Sequence, residues 1–191
     1  MDEKKKIEPY DIETKIEIAT QTLERNMGLV TYCDTKASVI LAVLSAFLGF
    51  TLTADGVTTI SVILTGALKS NTFIEAMYFF GVVFSAAAVL VGICLLTCVL
   101  FARGTKKEQE DAMNGSMLFF GSIANANSDS DYSTEFKKMT KEKVLDALLK
   151  DLYINSVIAK TKYDYFNKGI KCAIPGLVVF IVLLMIGQFI Y

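Results

Sequence analysis

Residues 77–102 form a run of 26 residues, from Met77 to Ala102, without one charged side chain, and a stretch this long and apolar reads as a membrane span. Two further blocks join it. Ala37 to Thr53 has 17 residues and would reach about 25 Å as a helix, just short of a bilayer's hydrocarbon thickness. Its flank, Met27 to Cys33, is itself mostly apolar, so the helix is expected to continue inward through Asp34, Thr35 and Lys36. The third block, Ala173 to Tyr191, ends in a tyrosine suited to a membrane interface. With 53% hydrophobic residues concentrated in these blocks, the chain is expected to be an integral membrane protein.

The basic residues set the orientation. Of 19 lysines and arginines, 6 lie in residues 1–36 and 12 in residues 103–171, which leaves only Lys69 between the first two spans. By the positive-inside rule the N-terminus and the 103–171 segment face the cytoplasm. The expected organisation is a cytoplasmic amphipathic helix over 1–36, a first span over 37–53 and an extracytoplasmic connection over 54–76. A second span follows over 77–102, then a cytoplasmic region over 103–171 and a third span over 172–191. No cleaved signal peptide is expected, because the first span follows 36 residues rich in acids and bases.

The chain contains no histidine. That removes imidazole-based nucleophilic mechanisms and most zinc and iron sites. Glycines are scattered through apolar stretches without the spacing of a phosphate loop. Catalysis, a metal site and a bound cofactor are therefore not expected. The four cysteines lie in or beside apolar blocks and read as small packing residues. A formal charge of -1 places any affinity for anions in local clusters rather than in a global field.

Within the cytoplasmic part, Ile12, Ile16, Ala19, Leu23, Met27 and Val30 recur at three- and four-residue intervals between charges, the pattern of an amphipathic helix. A second such helix follows Thr140, a suitable cap, with Val144, Leu145, Leu148, Leu149, Leu152, Ile154 or Asn155, and Ile158 on its apolar face. The two are expected to pack together. The run from Asn114 to Ala124 reads as a strand or buried turn, and Asn125 to Asp131 as a loop.

Candidate functional positions follow from chemistry. Asp34 and Lys36 are ionisable groups at the edge of a span, where they either form an interfacial ion pair or serve a gate. Ser38, Ala42 and Ala46 continue that helix as a small, partly polar stripe with Ser45 and Gly49 beside it, and Gly81, Ser85, Ala88 and Gly92 form another in the second span. Either stripe suits close helix packing or a pore lining. Lys137, Lys138, Lys141 and Lys143 make the densest basic cluster. Tyr153, Lys160, Lys162, Tyr163 and Tyr165 mix cations with aromatic faces. Both clusters suit a phosphate-bearing ligand with a base to stack, or a solvated helix face near anionic lipid.

A family resemblance runs from about residue 20 to 175. It is carried by Asp34-Thr35-Lys36-Ala37, by Asn114 with Leu118-Phe119-Phe120-Gly121-Ser122-Ile123-Ala124, by Tyr132 ahead of Phe136, and by Asp151-Leu152-Tyr153-x-Asn155-Ser156-x-Ile158-Ala159-x-x-Lys162-Tyr163. These segments resemble the transmembrane effectors of the Pycsar antiphage systems, and Asn155 stands where that pattern often has glutamine. The chain is also similar to the membrane effectors of the Hailong systems. The resemblance implies a mainly α, three-transmembrane-helix protein of the bacterial inner membrane with a small, mostly helical cytoplasmic domain. It further implies a homo-oligomeric channel, with a tetramer as the working assembly, that takes part in abortive infection.

Its implied ligand is a nucleotide signal, either a cyclic pyrimidine mononucleotide or short single-stranded DNA, made by a partner cyclase or nucleotidyltransferase. The residues expected to bind it are Asn114, Phe120, Lys137, Lys138, Tyr153, Asn155, Lys162 and Tyr163. Those expected at the pore or gate are Asp34, Lys36, Ser38, Ala42 and Ser45. A non-conducting membrane scaffold that recruits a cytoplasmic partner is the competing function.

Overall fold

The computed structural model describes residues 10–69, 72–101, 117–118 and 123–190. Among the described residues five helices follow one another: α1 Ile12–Thr51, α2 Ala54–Lys69, α3 Phe73–Phe101, α4 Asp129–Lys137 and α5 Lys141–Ile190. No strand occurs among the described residues, and α1, α3 and α5 are long and apolar enough to cross a membrane. The protein is thus a mainly α membrane protein. Most of the 114–124 run lies outside the described residues.

The amphipathic helix and first span expected from the sequence are one unbroken helix of 40 residues. Asp11 precedes it, accepting a hydrogen bond from the Thr14 hydroxyl on its carboxylate and from the Lys15 N–H on its carbonyl at 3.1 Å. The inward stripe holds buried Ala19, Cys33, Ala37 and Leu44 and half-buried Ile12, Ile16, Leu23 and Val30 between them. Met27 departs from the expected face and is 54% exposed. Asn26 turns inward beside it, donating to Ser156 Oγ at 2.7 Å.

α5 likewise fuses the second amphipathic helix with the third span, over 50 residues. Thr140 caps it as expected: its hydroxyl accepts from the Lys143 N–H at 3.4 Å and its carbonyl from the Val144 N–H at 3.0 Å. The buried line runs through Ala147, Asp151 and Ile154, flanked by half-buried Val144, Leu145, Leu148, Leu152 and Ile158; of the expected face only Leu149 departs, 47% exposed. Pro175 lies within the helix and removes one backbone donor, a change that membrane helices tolerate.

The chain divides into two compact units, and the division falls inside both long helices. A polar unit takes residues 10–31 and the described part of 103–160; an apolar unit takes 32–101 and 161–190. In the polar unit, Lys141 and Glu13 pair between α5 and α1, exposed on both sides. Such a pair contributes little to stability.

In the apolar unit α3 buries Val82, Ser85, Val89, Gly92, Leu96 and Val99. These alternate three and four apart, the repeat of a helix seam. Opposite them, Gly169 and Gly176 of α5 lie against Leu96 and against Ala88, Val89 and Ser85. A Cβ on Gly92 would meet Ala173 Cβ and backbone nitrogen at 2.6 Å, so the absence of a side chain is what lets the two backbones approach. Cys33, Ala37, Leu44 and Phe166 complete this core, and Phe47 meets Phe180 edge to face with centroids 6.3 Å apart.

α2 is a helix within what the sequence presented only as a connection. It starts two residues after α1 ends, with Thr53 accepting from the Gly56 N–H on its hydroxyl at 3.2 Å and from the Val57 N–H on its carbonyl at 2.9 Å. The turn is tight enough that a Cβ at Gly56 would lie 2.6 Å from the Thr51 carbonyl. Ile63 and Ala67 are its buried residues.

Candidate functional site

Where α1 enters the apolar unit, Asp34 accepts an ion-paired hydrogen bond at 2.5 Å from the ammonium of Lys162, 128 residues away on α5. Lys162 is almost wholly buried, with 7% of its side chain exposed against 36% for Asp34. Helical periodicity places buried Cys33 and Ala37 around Asp34 and buried Phe166 one turn from Lys162. A buried ammonium without a counter-charge is strongly unfavourable, so the pair specifies how α1 and α5 meet here. Sequence reading placed Asp34 at a gate and Lys162 at a nucleotide; the fold brings them to each other.

Lys36 points elsewhere. Its ammonium sits over the exposed ring of Tyr32, 4.1 Å from the centroid, a cation–π contact. Ser38, Ala42 and Ser45 are all exposed on the same helix, and the Ser38 hydroxyl donates to the Asp34 carbonyl at 2.9 Å. Gly49 continues that stripe with no atom within 4 Å of where its Cβ would be. An apolar groove of about 550 Å³, lined by Phe47, Val57, Ile60, Leu64, Val89 and Phe180 among others, offers no charged group.

In the polar unit Lys137 and Lys138 are exposed at the end of α4, and Tyr153 is 66% exposed on α5. Asn155 is half-buried and donates to the Asp151 carbonyl at 2.9 Å. Tyr163, 58% exposed, belongs to the apolar unit with Lys162. Asn114 and Phe120 lie outside the described residues. Of the described members of the expected nucleotide set, Lys137, Lys138, Tyr153 and Asn155 belong to the polar unit and Lys162 and Tyr163 to the apolar unit.

Sequence reading passed over a cleft of about 230 Å³ in the polar unit, lined by Met117, Asn125, Asn127, Asp131, Tyr132 and Glu135 among others. Between the lining residues Asn127 and Asp131, Ser128 caps α4, accepting from the Asp131 N–H at 3.1 Å. The Tyr132 hydroxyl donates to the Met117 carbonyl at 3.5 Å, and its ring lies 5.9 Å from that of Phe136. The one signal for this cleft in the sequence was the Tyr132 and Phe136 pair, because a loop rich in Asn, Ser and Asp reads first as a turn.

A model of the Pycsar effector protein domain matches residues 18–187, and the chain therefore belongs to the family of Pycsar effectors, the transmembrane effectors of antiphage defence its residues resemble. A relative, the Pycsar effector protein GmPycTM of Gulbenkiania mobilis, is 27% identical, with 96% of this chain and 96% of that protein covered. No solved structure matches the chain.

Proposed function

We propose that this chain is a pore-forming membrane effector, a homo-oligomer opened by a cyclic pyrimidine mononucleotide that a partner cyclase makes, and that it carries out no catalysis itself. The observation that carries the reading is the continuity of α1 and α5, each an unbroken helix belonging to both units. A ligand that favours one arrangement of the polar unit acts on the same two rigid elements that build the apolar unit.

The polar unit faces the cytoplasm of the bacterial inner membrane, consistent with its lysines. Its cleft, smaller than the 300–1,000 Å³ typical of sites for whole drug-sized ligands, suits a single base. Carboxylates and amides there recognise a base edge, while Lys137 and Lys138 are the cations for phosphate and Tyr153 a further aromatic face. Lys162, buried against Asp34, is left out of that set. Ser38, Ala42 and Ser45 line the path for ions.

The test is titration of the purified full chain with cyclic CMP, cyclic UMP and short single-stranded DNA across a salt series, followed by ion flux in liposomes. One phosphate gives a shallow salt dependence. An oligonucleotide gives a slope near -0.7 per phosphate neutralised. Ligand-dependent flux with a shallow slope supports the reading. A steep slope reassigns the signal to single-stranded DNA, and a folded oligomer that neither binds nucleotide nor conducts is the scaffold instead.

A further inference from the structure

The pair of Asp34 and Lys162 has the properties of a mechanical restraint. It lies in the apolar unit within three residues of the division on each helix, since the units part between Thr31 and Tyr32 on α1 and between Lys160 and Thr161 on α5. Displacement of one helix along the other carried in from the polar unit therefore reaches this pair before the glycine seam that follows it. The two partners are also unequal. Asp34 retains contact with its surroundings, whereas Lys162 is enclosed.

We propose that Asp34 acts as a latch that keeps the Lys162 ammonium seated between α1 and α5 in the resting state, and that releasing Lys162 from Asp34 opens this contact. The inequality of burial gives the latch a direction. Losing the lysine leaves a carboxylate that can be hydrated in place, and an apolar side chain of similar length can fill the vacated space. Losing the carboxylate's charge strands an ammonium where it has no counter-charge, and it gains hydration only by leaving its site. Asp34→Asn is therefore a releasing change, Lys162→Met a locking one, and the double variant is locked, because no stranded ammonium remains.

The latch rests on the effector reading only for its consequence in ion flux, so the experiment has two readouts. Hydrogen exchange of the full chain in lipid reports the contact itself at residues 30–38 and 158–168, and ligand-free ion flux in liposomes reports conduction. Asp34→Asn is expected to raise exchange in both segments and basal flux by about tenfold or more, the size of a shift in a two-state equilibrium by one decade. Lys162→Met and Asp34→Asn/Lys162→Met should match the parent in exchange. Unchanged exchange in Asp34→Asn, or equal loosening in Lys162→Met, overturns the latch. If exchange rises while no variant conducts with or without nucleotide, the latch stands and the pore reading falls. If Asp34→Asn fails to fold, the double variant decides: recovery of the parent's exchange supports the latch, and failure to recover overturns it.

Discussion

The small-residue stripe of α3 is consumed inside the chain, whereas that of α1 is left open. Ser85 and Gly92 are buried against α5, with Gly176 and Ala173 opposite them. Ser38, Ala42, Ser45 and Gly49 are exposed, on a helix that meets its own core through Cys33, Ala37 and Leu44 instead. The same residue chemistry thus does two jobs. On α3 it permits the close approach that dispersion and weak contacts between membrane helices require. On α1 it stays outside the core of one chain, and in the homo-oligomer we propose it is the face open to other copies.

The largest effect that would test this contrast comes from giving Gly92 a side chain. Gly92→Leu forces new atoms onto the Ala173 backbone, and it should destabilise the apolar unit by about 3 kcal/mol or more, the upper range for overpacking. Thermal unfolding in detergent measures it. A loss no larger than that caused by Gly49→Leu would mean that the α3 seam is not what holds this unit.

Ala42→Leu is the complementary change on the open stripe. It should shift the unfolding free energy of one chain by less than about 0.5 kcal/mol while strongly reducing ligand-dependent flux or altering the assembly seen by mass photometry. An unfolded Ala42→Leu chain would contradict the exposed placement of that stripe. A folded one with unchanged flux and assembly would remove it from the ion path.

In the polar unit, Asn26→Ala removes the part-buried bond to Ser156 and should cost about 1 kcal/mol, the usual worth of a neutral hydrogen bond. Faster exchange around residues 22–30 and 152–158 is the readout. If exchange is unchanged, α1 and α5 are held there by apolar contacts alone.

The smallest effects are electrostatic and lie at helix starts. The Thr14 hydroxyl holds the Asp11 carboxyl below its usual range, and Glu142's own backbone N–H, with the Thr140 hydroxyl, does the same for the Glu142 carboxyl. A carboxyl lowered on folding stabilises fully above its unfolded pKa of roughly 4 and loses that contribution as the pH falls through the lower folded value. Lys141 is shifted the other way by Glu13. Its contribution is complete below its unfolded pKa and disappears as the pH rises through the folded one. All three groups are exposed, so Thr14→Val should alter the acid limb of a helicity titration only slightly, and Glu13→Gln only the alkaline limb. A large shift in either would mean these ends are more enclosed than they are here.

Periodicity and charge, both local along the chain, were enough to find the three spans, the two amphipathic helices, the Thr140 cap and, Met27 aside, the stripe from Ile12 to Val30. Each rests on neighbours within a turn or two, where hydrophobic spacing and capping act directly. The same locality limited the reading of α2, whose short mixed sequence lies between two spans and owes its buried face to Ile63 and Ala67. On α5 it included Leu149, which is exposed, because Leu149 is as apolar as the buried Ile154 and only packing chooses between them.

The site was less legible than the fold because its contacts are not local. Asp34 and Lys162 each looked like a separate functional charge, one for ions and one for phosphate, and nothing in either segment states that they meet across 128 residues. Likewise, spacing alone treats Ser38 and Ser85 as equivalents. Which helix face meets its own chain depends on the joint packing of α1, α3 and α5, where one close backbone approach at Gly92 excludes other arrangements. The chain's sequence by itself determined where helices form and that they enter a membrane; tertiary structure alone decided which charges neutralise each other and which stripe stays open.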